Sequence, residues 1–241
     1  MARFVLVHGA FGGAWCWDDV RRQLETADHA VETLDLPGSG DDQTPVAGAT
    51  LESYAGRVCE VLGSRAEQAV LVGHSMGGVV ATQAAGQRPD KIASLVFVCA
   101  FMPANGQSLL DLAGQPEGAD DQIQANIVIE GDPPVAALSD EAVADAIYNC
   151  CTPEQRALGV ARNRPQPVAP FATPVAVDDD ALARIPRSYV LTTDDHSIPL
   201  ALQRRMVSEH PCRRVVELET DHAPYLSATD ELVAALGDFA H

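Results

Sequence analysis

The pentapeptide Gly73–Gly77, with the sequence Gly-His-Ser-Met-Gly, is the part of the chain best suited to chemistry. An apolar segment, 69–73, precedes the serine, and a run of small residues, 76–87, follows it. Between a buried strand and a helix, this pattern predicts a sharp turn that exposes a hydroxyl group beside a helix N-terminus, where developing negative charge is stabilised. We therefore predict that Ser75 is the nucleophile of an acyl-transfer reaction.

A serine nucleophile needs a histidine base, and the base follows the serine and the acid in chain order in this arrangement. His222 follows the last predicted strand, 213–218, and so lies at the edge of the sheet to which the serine points. We predict His222 as the base. His8 and His74 precede the serine and are predicted to make structural hydrogen bonds in turns.

The carboxylate that orients the base should follow the preceding strand, 188–193, where the sequence offers Asp194 and Asp195. Adjacent residues at the end of a strand point to opposite sides, so only one of them can face His222. Spacing alone leaves both candidates open. His196, beside them, is a candidate pocket residue.

A second glycine-rich loop, residues 8–13, follows the first predicted strand. A tetrahedral oxyanion needs two backbone donors, and a loop at this place supplies one of them in such folds. We predict the N–H groups of Ala10 and Met76 as these donors.

A dinucleotide-binding loop is the rival interpretation of residues 8–13, and Asp35 lies where a ribose-binding carboxylate would be. The glycines at 9, 12 and 13 do not fit the G-x-G-x-x-G spacing, however, and that interpretation leaves Ser75 and His222 unexplained. The P-loop and H-E-x-x-H patterns are absent from the sequence, which disfavours nucleotide hydrolysis and zinc-protease chemistry.

Predicted strands alternate with predicted helices over most of the chain, which indicates a parallel sheet with helices on both faces. The strands are predicted at 3–7, 30–36, 69–73, 92–101, 188–193 and 213–218. The alternation stops between residues 103 and 185, where Pro, Gly and Asp are frequent and the clearest helices are 140–149 and 153–161. We predict a core of residues 1–102 and 186–241 and a small helical cap of residues 103–185 inserted between two strands.

Composition limits the partners of this 241-residue chain. It has 34 acidic and 16 basic residues, a net charge of −18, which disfavours binding to nucleic acid and to anionic membranes. No apolar run is long enough to span a bilayer, and the N-terminus lacks the features of a signal peptide. Six cysteines in a pattern that matches no zinc site predict reduced thiols in a cytoplasmic protein.

These motifs resemble those of the α/β-hydrolase branch that contains the plant methyl esterases and hydroxynitrile lyases. The resemblance rests on residues 4–17, 73–78, 193–199 and 221–222 and is weakest between 103 and 185. It implies an α/β-hydrolase fold with about six mostly parallel strands, a small apolar pocket under the cap, and neither a cofactor nor a metal. It also implies that Asp195, rather than Asp194, is the acid.

The same resemblance distinguishes esterases from lyases. The lyases have a threonine and a lysine where this chain has Gly9 and Ala223, and the lysine holds the departing cyanide. We therefore predict a serine carboxylesterase that acts on small, fairly apolar esters or lactones. The alternatives on the same scaffold are a hydroxynitrile lyase or another C–C lyase or hydrolase, and a non-catalytic small-molecule receptor.

The pocket and the assembly are the least determined predictions. The candidates for the pocket lining are Phe11, Phe101, Met102, Phe171 and Ile198. Phe101 and Met102 are favoured because they end a strand next to the serine turn. Relatives of this kind are often dimers, so a homodimer is the expected assembly, although the sequence leaves the oligomeric state open.

Overall fold

The first hundred residues alternate between buried strands and helices in the computed structural model, which describes residues 1–240 and leaves His241 outside. The elements in chain order are β1 (Arg3–Val7), α1 (Asp18–Thr26), β2 (Ala30–Leu34), α2 (Leu51–Gly63), β3 (Ala69–His74), α3 (Gly77–Gln87) and β4 (Ile92–Val98). Every residue of β1 and β3 is buried, as expected of parallel strands that are covered on both faces. A capping box between Thr50 and Ser53 starts α2.

Residues 103–185 contain six short helices and three very short strands. In chain order these are α4 (Leu109–Ala113), α5 (Gln122–Asn126), β5 (Val128–Glu130), β6 (Val135–Ala137), α6 (Asp140–Ala146), α7 (Pro153–Ala161), β7 (Gln166–Pro167), α8 (Ala169–Ala172) and α9 (Asp179–Ala183). The strands form an antiparallel sheet in the order β5-β6-β7. The sequence predicted only helices here, because strands of two or three residues are too short to show alternation.

The last part of the chain returns to the main sheet. Its elements are β8 (Arg187–Thr192), α10 (Leu200–Glu209), β9 (Arg214–Leu218), α11 (Pro224–Ser227) and α12 (Thr229–Phe239). Short 3-10 helices lie at Ala14–Trp17, Val46–Gly48, Pro89–Lys91 and Pro116–Gly118. Within residues 1–240, no helix is both long and apolar enough to cross a membrane.

The main sheet has six parallel strands in the order β2-β1-β3-β4-β8-β9, which confirms the predicted fold class. The strand order reverses at β1, since the chain adds β2 on one side of β1 and then crosses to add β3 on the other. In open α/β sheets, a crevice forms outside the carboxyl ends of the strands at such a reversal. The loops that follow β1 and β3 therefore meet at that crevice.

The strand predicted at 92–101 is shorter in the structure. It ends at Val98 because Cys99 has a backbone φ of 34°, in the left-handed region, which breaks the extended conformation. The N–H of Phe101 then donates a hydrogen bond to the carbonyl oxygen of Ser75, at 3.2 Å. The turn at Cys99 thus brings the end of this segment against the serine turn.

Candidate active site

Ser75 lies on the turn between β3 and α3 with a backbone φ of 54°, a conformation that residues other than glycine rarely adopt. Gly77 makes this turn possible, because a Cβ at that position would lie 2.7 Å from the carbonyl oxygens of Val7 and His8. Ser75 is largely buried and lines a cavity at the carboxyl ends of the strands. A strained serine on a tight turn from strand to helix is the geometry expected of a nucleophile that faces a cavity.

Ala10 and Met76 line the same cavity as the serine. Within residues 1–240, the N–H of neither residue donates a hydrogen bond to another protein group. Met76 is the residue before α3, where backbone N–H groups have no acceptor in the helix. His8 holds the loop that carries Ala10, because Nδ1 of its ring donates a 2.7 Å hydrogen bond to the carbonyl oxygen of Gly9. Two unengaged donors therefore border the cavity.

His222 follows β9, and its Nδ1 donates a 2.8 Å hydrogen bond to Oδ2 of Asp195, with both side chains buried. Oδ1 of the carboxylate accepts the N–H groups of Ser197 and Ile198, each at 2.8 Å. Oδ2 also accepts hydrogen bonds from the side chains of Thr192 and Gln203. Because a carboxylate can only accept, the proton of the neutral His222 ring is on Nδ1, which leaves Nε2 as a proton acceptor.

Asp194 points away from this pair. It is exposed, and its carboxylate accepts a hydrogen bond from Nδ2 of Asn149 at 3.2 Å. His196 is exposed too, and its Nδ1 donates to the carbonyl oxygen of Asp145 at 3.0 Å. His196 is not part of the cavity wall, so the interpretation of His196 as a pocket residue is wrong. In the loop after β8, Asp195 is thus buried beside His222, whereas Asp194 and His196 are exposed and contact residues between 145 and 150.

His74 precedes the serine, and its ring packs against that of His222 with centroids 4.7 Å apart. Nε2 of His74 donates a 2.7 Å hydrogen bond to the backbone carbonyl of His222. Burial lowers the pKa of His74 well below its usual value, and the nearby charge of His222 lowers it further. Burial also lowers the pKa of His8. Both side chains are hydrogen-bonded in the turns that border the cavity.

The cavity has a volume of about 330 Å³, and most of its wall is apolar. The wall includes Phe11, Phe101, Phe171 and Ile198, and the rings of Phe11 and Phe171 meet edge to face with centroids 6.5 Å apart. Within residues 1–240, no arginine or lysine lines it. Such a wall suits an apolar ligand with few polar groups.

Met102 does not line the cavity, so its assignment as a pocket residue is wrong. It is buried in the core, and its N–H lies 3.3 Å from Sδ of Met206. Its neighbour Phe101 lines the cavity, so the two adjacent side chains lie in different surroundings.

Six further lining residues have side chains with polar atoms or sulfur that sequence reasoning missed: Cys16, Asp121, Gln124, Tyr148, Ser197 and Tyr225. Burial raises the pKa of Cys16 to about 12, so its thiol is neutral. Asp121 and Gln124 come from residues 103–185, where no sequence spacing relates them to Ser75 or His222. Ser197 follows shortly after Asp195, and Tyr225 follows shortly after His222, so closeness in sequence to a predicted catalytic residue was the available signal for these two.

Three side chains are close enough to share a metal ion, since ligand atoms of His74, Cys99 and His222 lie within 4.8 Å of one another. Their chemistry does not fit one. A thiol must be deprotonated to bind a metal, and burial raises the pKa of Cys99 well above its usual value. Nε2 of His74 and Nδ1 of His222 each already donate a hydrogen bond. We assign no metal to this cluster.

The sequence matches the model of the alpha/beta hydrolase family over residues 4–235. The chain belongs to this family. The structure of polyneuridine aldehyde esterase, another member of the fold, superimposes with a TM-score of 0.91 at 28% identity and covers all of both chains.

Among curated alpha/beta hydrolase relatives, Methylesterase 7 of Arabidopsis thaliana is 33% identical over 259 residues, which cover 99% of this chain and 96% of the relative. Putative methylesterase 13, chloroplastic, of the same plant is 36% identical over 240 residues. That alignment covers 95% of this chain but only 54% of the longer relative. The resemblance to the methyl esterase branch, stated from the motifs, is confirmed by these matches.

Proposed function

We propose that this alpha/beta hydrolase is a serine esterase that hydrolyses small, largely apolar carboxylic esters or lactones. The observation that carries the proposal is the buried 2.8 Å hydrogen bond between His222 and Asp195, beside a cavity that also holds the strained Ser75. The names of the relatives, methylesterase and esterase, support the same reaction class.

In the proposed mechanism, Oγ of Ser75 attacks the ester carbonyl while Nε2 of His222 takes the hydroxyl proton. Asp195 holds the ring in the tautomer with the proton on Nδ1 and stabilises the imidazolium ion that forms. The N–H groups of Ala10 and Met76 bind the oxyanion. His222 then gives its proton to the leaving alcohol. Water, activated by the same ring, releases the acid from the serine.

The lining of the cavity favours a substrate with an apolar acyl group. Phe11, Phe101 and Ile198 line the same cavity as the serine, and about 330 Å³ is enough for a small ligand. The relatives' names make methyl esters the first class to test.

Three further assignments are part of this proposal. Residues 103–185 act as the cap of a core made of residues 1–102 and 186–241, since this segment supplies part of the cavity wall. The chain works in a reducing compartment such as the cytoplasm, which is consistent with six free cysteines within residues 1–240. It acts as a homodimer, for which the molecular mass in solution is the test.

The structure gives no support to a lyase. A threonine side chain at Gly9 has no room, because a Cβ there would lie 2.8 Å from both Nδ1 of His74 and Cβ of Ser75. The position after His222 is Ala223, which is fully buried and offers no cation for cyanide. A receptor without catalysis would not need the buried pair of base and acid.

The test is hydrolysis of p-nitrophenyl esters, from acetate to decanoate, by the wild type and by Ser75→Ala. We expect turnover by the wild type and a loss of about 10³-fold or more in kcat for Ser75→Ala. Ser208→Ala is the control, because that serine is exposed on α10 and, within residues 1–240, its hydroxyl bonds only the Arg205 carbonyl oxygen. Full activity of Ser75→Ala, or no turnover by the folded wild type, would overturn the proposal.

A further inference from the structure

One wall of the cavity carries a buried carboxylate. Asp121 is 6% exposed and lines the cavity together with Gln124, on the turn that starts α5. Within residues 1–240 no arginine or lysine contributes to the wall, and His222 is the lining residue whose charge, when its ring is protonated, reaches Asp121. A carboxylate without a cationic partner in an apolar cavity is costly, which calls for an explanation.

Capping of the helix accounts for only one of the two carboxylate oxygens. Oδ1 of Asp121 accepts the N–H groups of Ile123 and Gln124, at 2.7 and 3.1 Å, as an N-cap residue does. Oδ2 accepts one hydrogen bond, from Nε2 of Gln124 at 3.0 Å. A carboxylate oxygen can accept more than one hydrogen bond, so Oδ2 retains capacity for another donor.

The amide of Gln124 is fixed in orientation. Its Nε2 donates both to Oδ2 of Asp121 and to the carbonyl oxygen of Ala113, at 2.8 Å, and a carbonyl oxygen can only accept. Both amide protons are therefore used, while within residues 1–240 no group donates to Oε1 of Gln124. This part of the wall thus offers hydrogen-bond acceptors and no donor.

The charge state of Asp121 supports this reading of the wall. Burial raises the pKa of Asp121 to about 6, and its hydrogen bonds and the charge of His222 limit the rise. The carboxylate therefore predominates at neutral pH. Because charges interact more strongly in an apolar cavity than in water, a cation beside Asp121 would be held firmly.

We propose that Asp121, supported by Gln124, determines substrate specificity by accepting a hydrogen bond from a protonated amine at the end of the substrate remote from the ester carbonyl. The inference rests on the proposed esterase function and names the substrate class of the same site. A neutral hydroxyl group satisfies the same acceptors more weakly, because a charge strengthens the hydrogen bond. A carboxylate at the same end of the substrate is repelled by the carboxylate of Asp121.

The test uses methyl esters that differ only in the terminal group: methyl heptanoate, methyl 6-hydroxyhexanoate, methyl 6-aminohexanoate and monomethyl adipate. Homologues one and two carbons shorter are also tested, so that the distance between the ester carbonyl and the terminal group is varied. The measured quantity is the ratio of kcat/KM for the amino ester to kcat/KM for the apolar ester of equal length. We compare the wild type with Asp121→Asn, which keeps an N-cap acceptor and removes the charge.

Asp121→Asn is expected to lower this ratio by about tenfold or more at pH 7.5, and to raise the relative rate for the adipate monoester. Asp120→Asn is the matched control, because Asp120 is exposed, adjacent in sequence and not part of the wall. Its ratio should equal that of the wild type. Equal ratios in wild type and Asp121→Asn overturn the proposal, as does a parallel loss with all four esters.

Failure of the esterase function gives a different result. If the folded wild type hydrolyses none of the esters, the function proposed above fails, and calorimetric binding of the same four compounds decides the role of Asp121. Tighter binding of the amino ester that is lost in Asp121→Asn supports the specificity role. No preference among the four compounds overturns it.

Discussion

Nε2 of His74 donates a 2.7 Å hydrogen bond to the backbone carbonyl of His222, so the residue before the nucleophile helps to position the backbone of the base. Because the pKa of His74 is well below its usual value, the ring stays neutral and does not repel the imidazolium ion that forms on its neighbour. One motif thus supplies both the serine and a support for the histidine that activates it.

His74→Ala should therefore lower kcat by about 10- to 100-fold with a smaller effect on KM, since displacement of a catalytic group by about 1 Å can cost about 10². His74→Gln, whose amide can donate to the same carbonyl, should recover part of the loss. The measurement is kcat and KM for one ester across the three proteins. A loss of similar size in the Gln variant would contradict a positioning role.

Asp195 and its neighbour provide a direct comparison of a buried and an exposed carboxylate. Asp195→Asn should lower kcat by about 10³- to 10⁴-fold, because an amide at this place favours the wrong tautomer of His222. Asp194→Asn should stay within about twofold of the wild type, since Asp194 faces Asn149 and not the histidine. Steady-state kinetics at pH 7.5 measures both, and equal losses would contradict the assignment.

The sequence was sufficient where a function is encoded in a local pattern. Ser75 was predicted from glycine spacing and His222 from its place after the last strand, and both line the cavity. The choice between Asp194 and Asp195 needed either a resemblance or the observed burial, because strand periodicity only states that they diverge. Asp121 had no pattern at all, since its place depends on tertiary packing.

That packing is visible in one contact. The N–H of Gln122 donates a 2.8 Å hydrogen bond to the carbonyl oxygen of His196, which ties the start of α5 to the loop of Asp195. The two residues are 74 positions apart, and Gln122 belongs to no recognisable motif. Segments whose helices are only four to nine residues long carry too little periodicity to predict such a docking.

Asp221 links the histidine loop to residues 103–185 and should be needed for stability. It is fully buried, and its carboxylate accepts the N–H of Cys150 at 2.7 Å, the N–H of Ala223 at 3.0 Å and the hydroxyl of Ser227 at 2.6 Å. Asp221→Ala leaves these donors unpaired and should lower the free energy of unfolding by about 2–4 kcal/mol. Urea titration measures the change.

Asp238→Ala is the control for that titration, since Asp238 is exposed near the end of α12. Its effect should lie within about 0.5 kcal/mol of zero. A comparable loss in both variants would mean that the bonds of Asp221 contribute nothing specific.

Asp121 should also leave a signature in the pH dependence of stability. Burial raises its pKa in the folded state to about 6, above the usual value of 3.8 for an aspartate side chain. A group with a raised pKa contributes stability that is fully present below the unfolded pKa and is lost as pH rises through the folded value. The wild type should therefore lose stability relative to Asp121→Asn between about pH 4 and pH 6, by about 1–3 kcal/mol.

Comparison of the two proteins at each pH isolates this residue, because the other carboxylates titrate in both. His222 is the titratable group whose charge reaches Asp121, and that charge opposes the rise in its pKa. The raised pKa values of Cys16 and Tyr148 keep both groups neutral over this range. Urea unfolding at pH 4, 5, 6 and 7 measures the difference, with Asp120→Asn as the control. A difference that stays constant with pH would show that the Asp121 carboxyl ionises as it does in the unfolded chain.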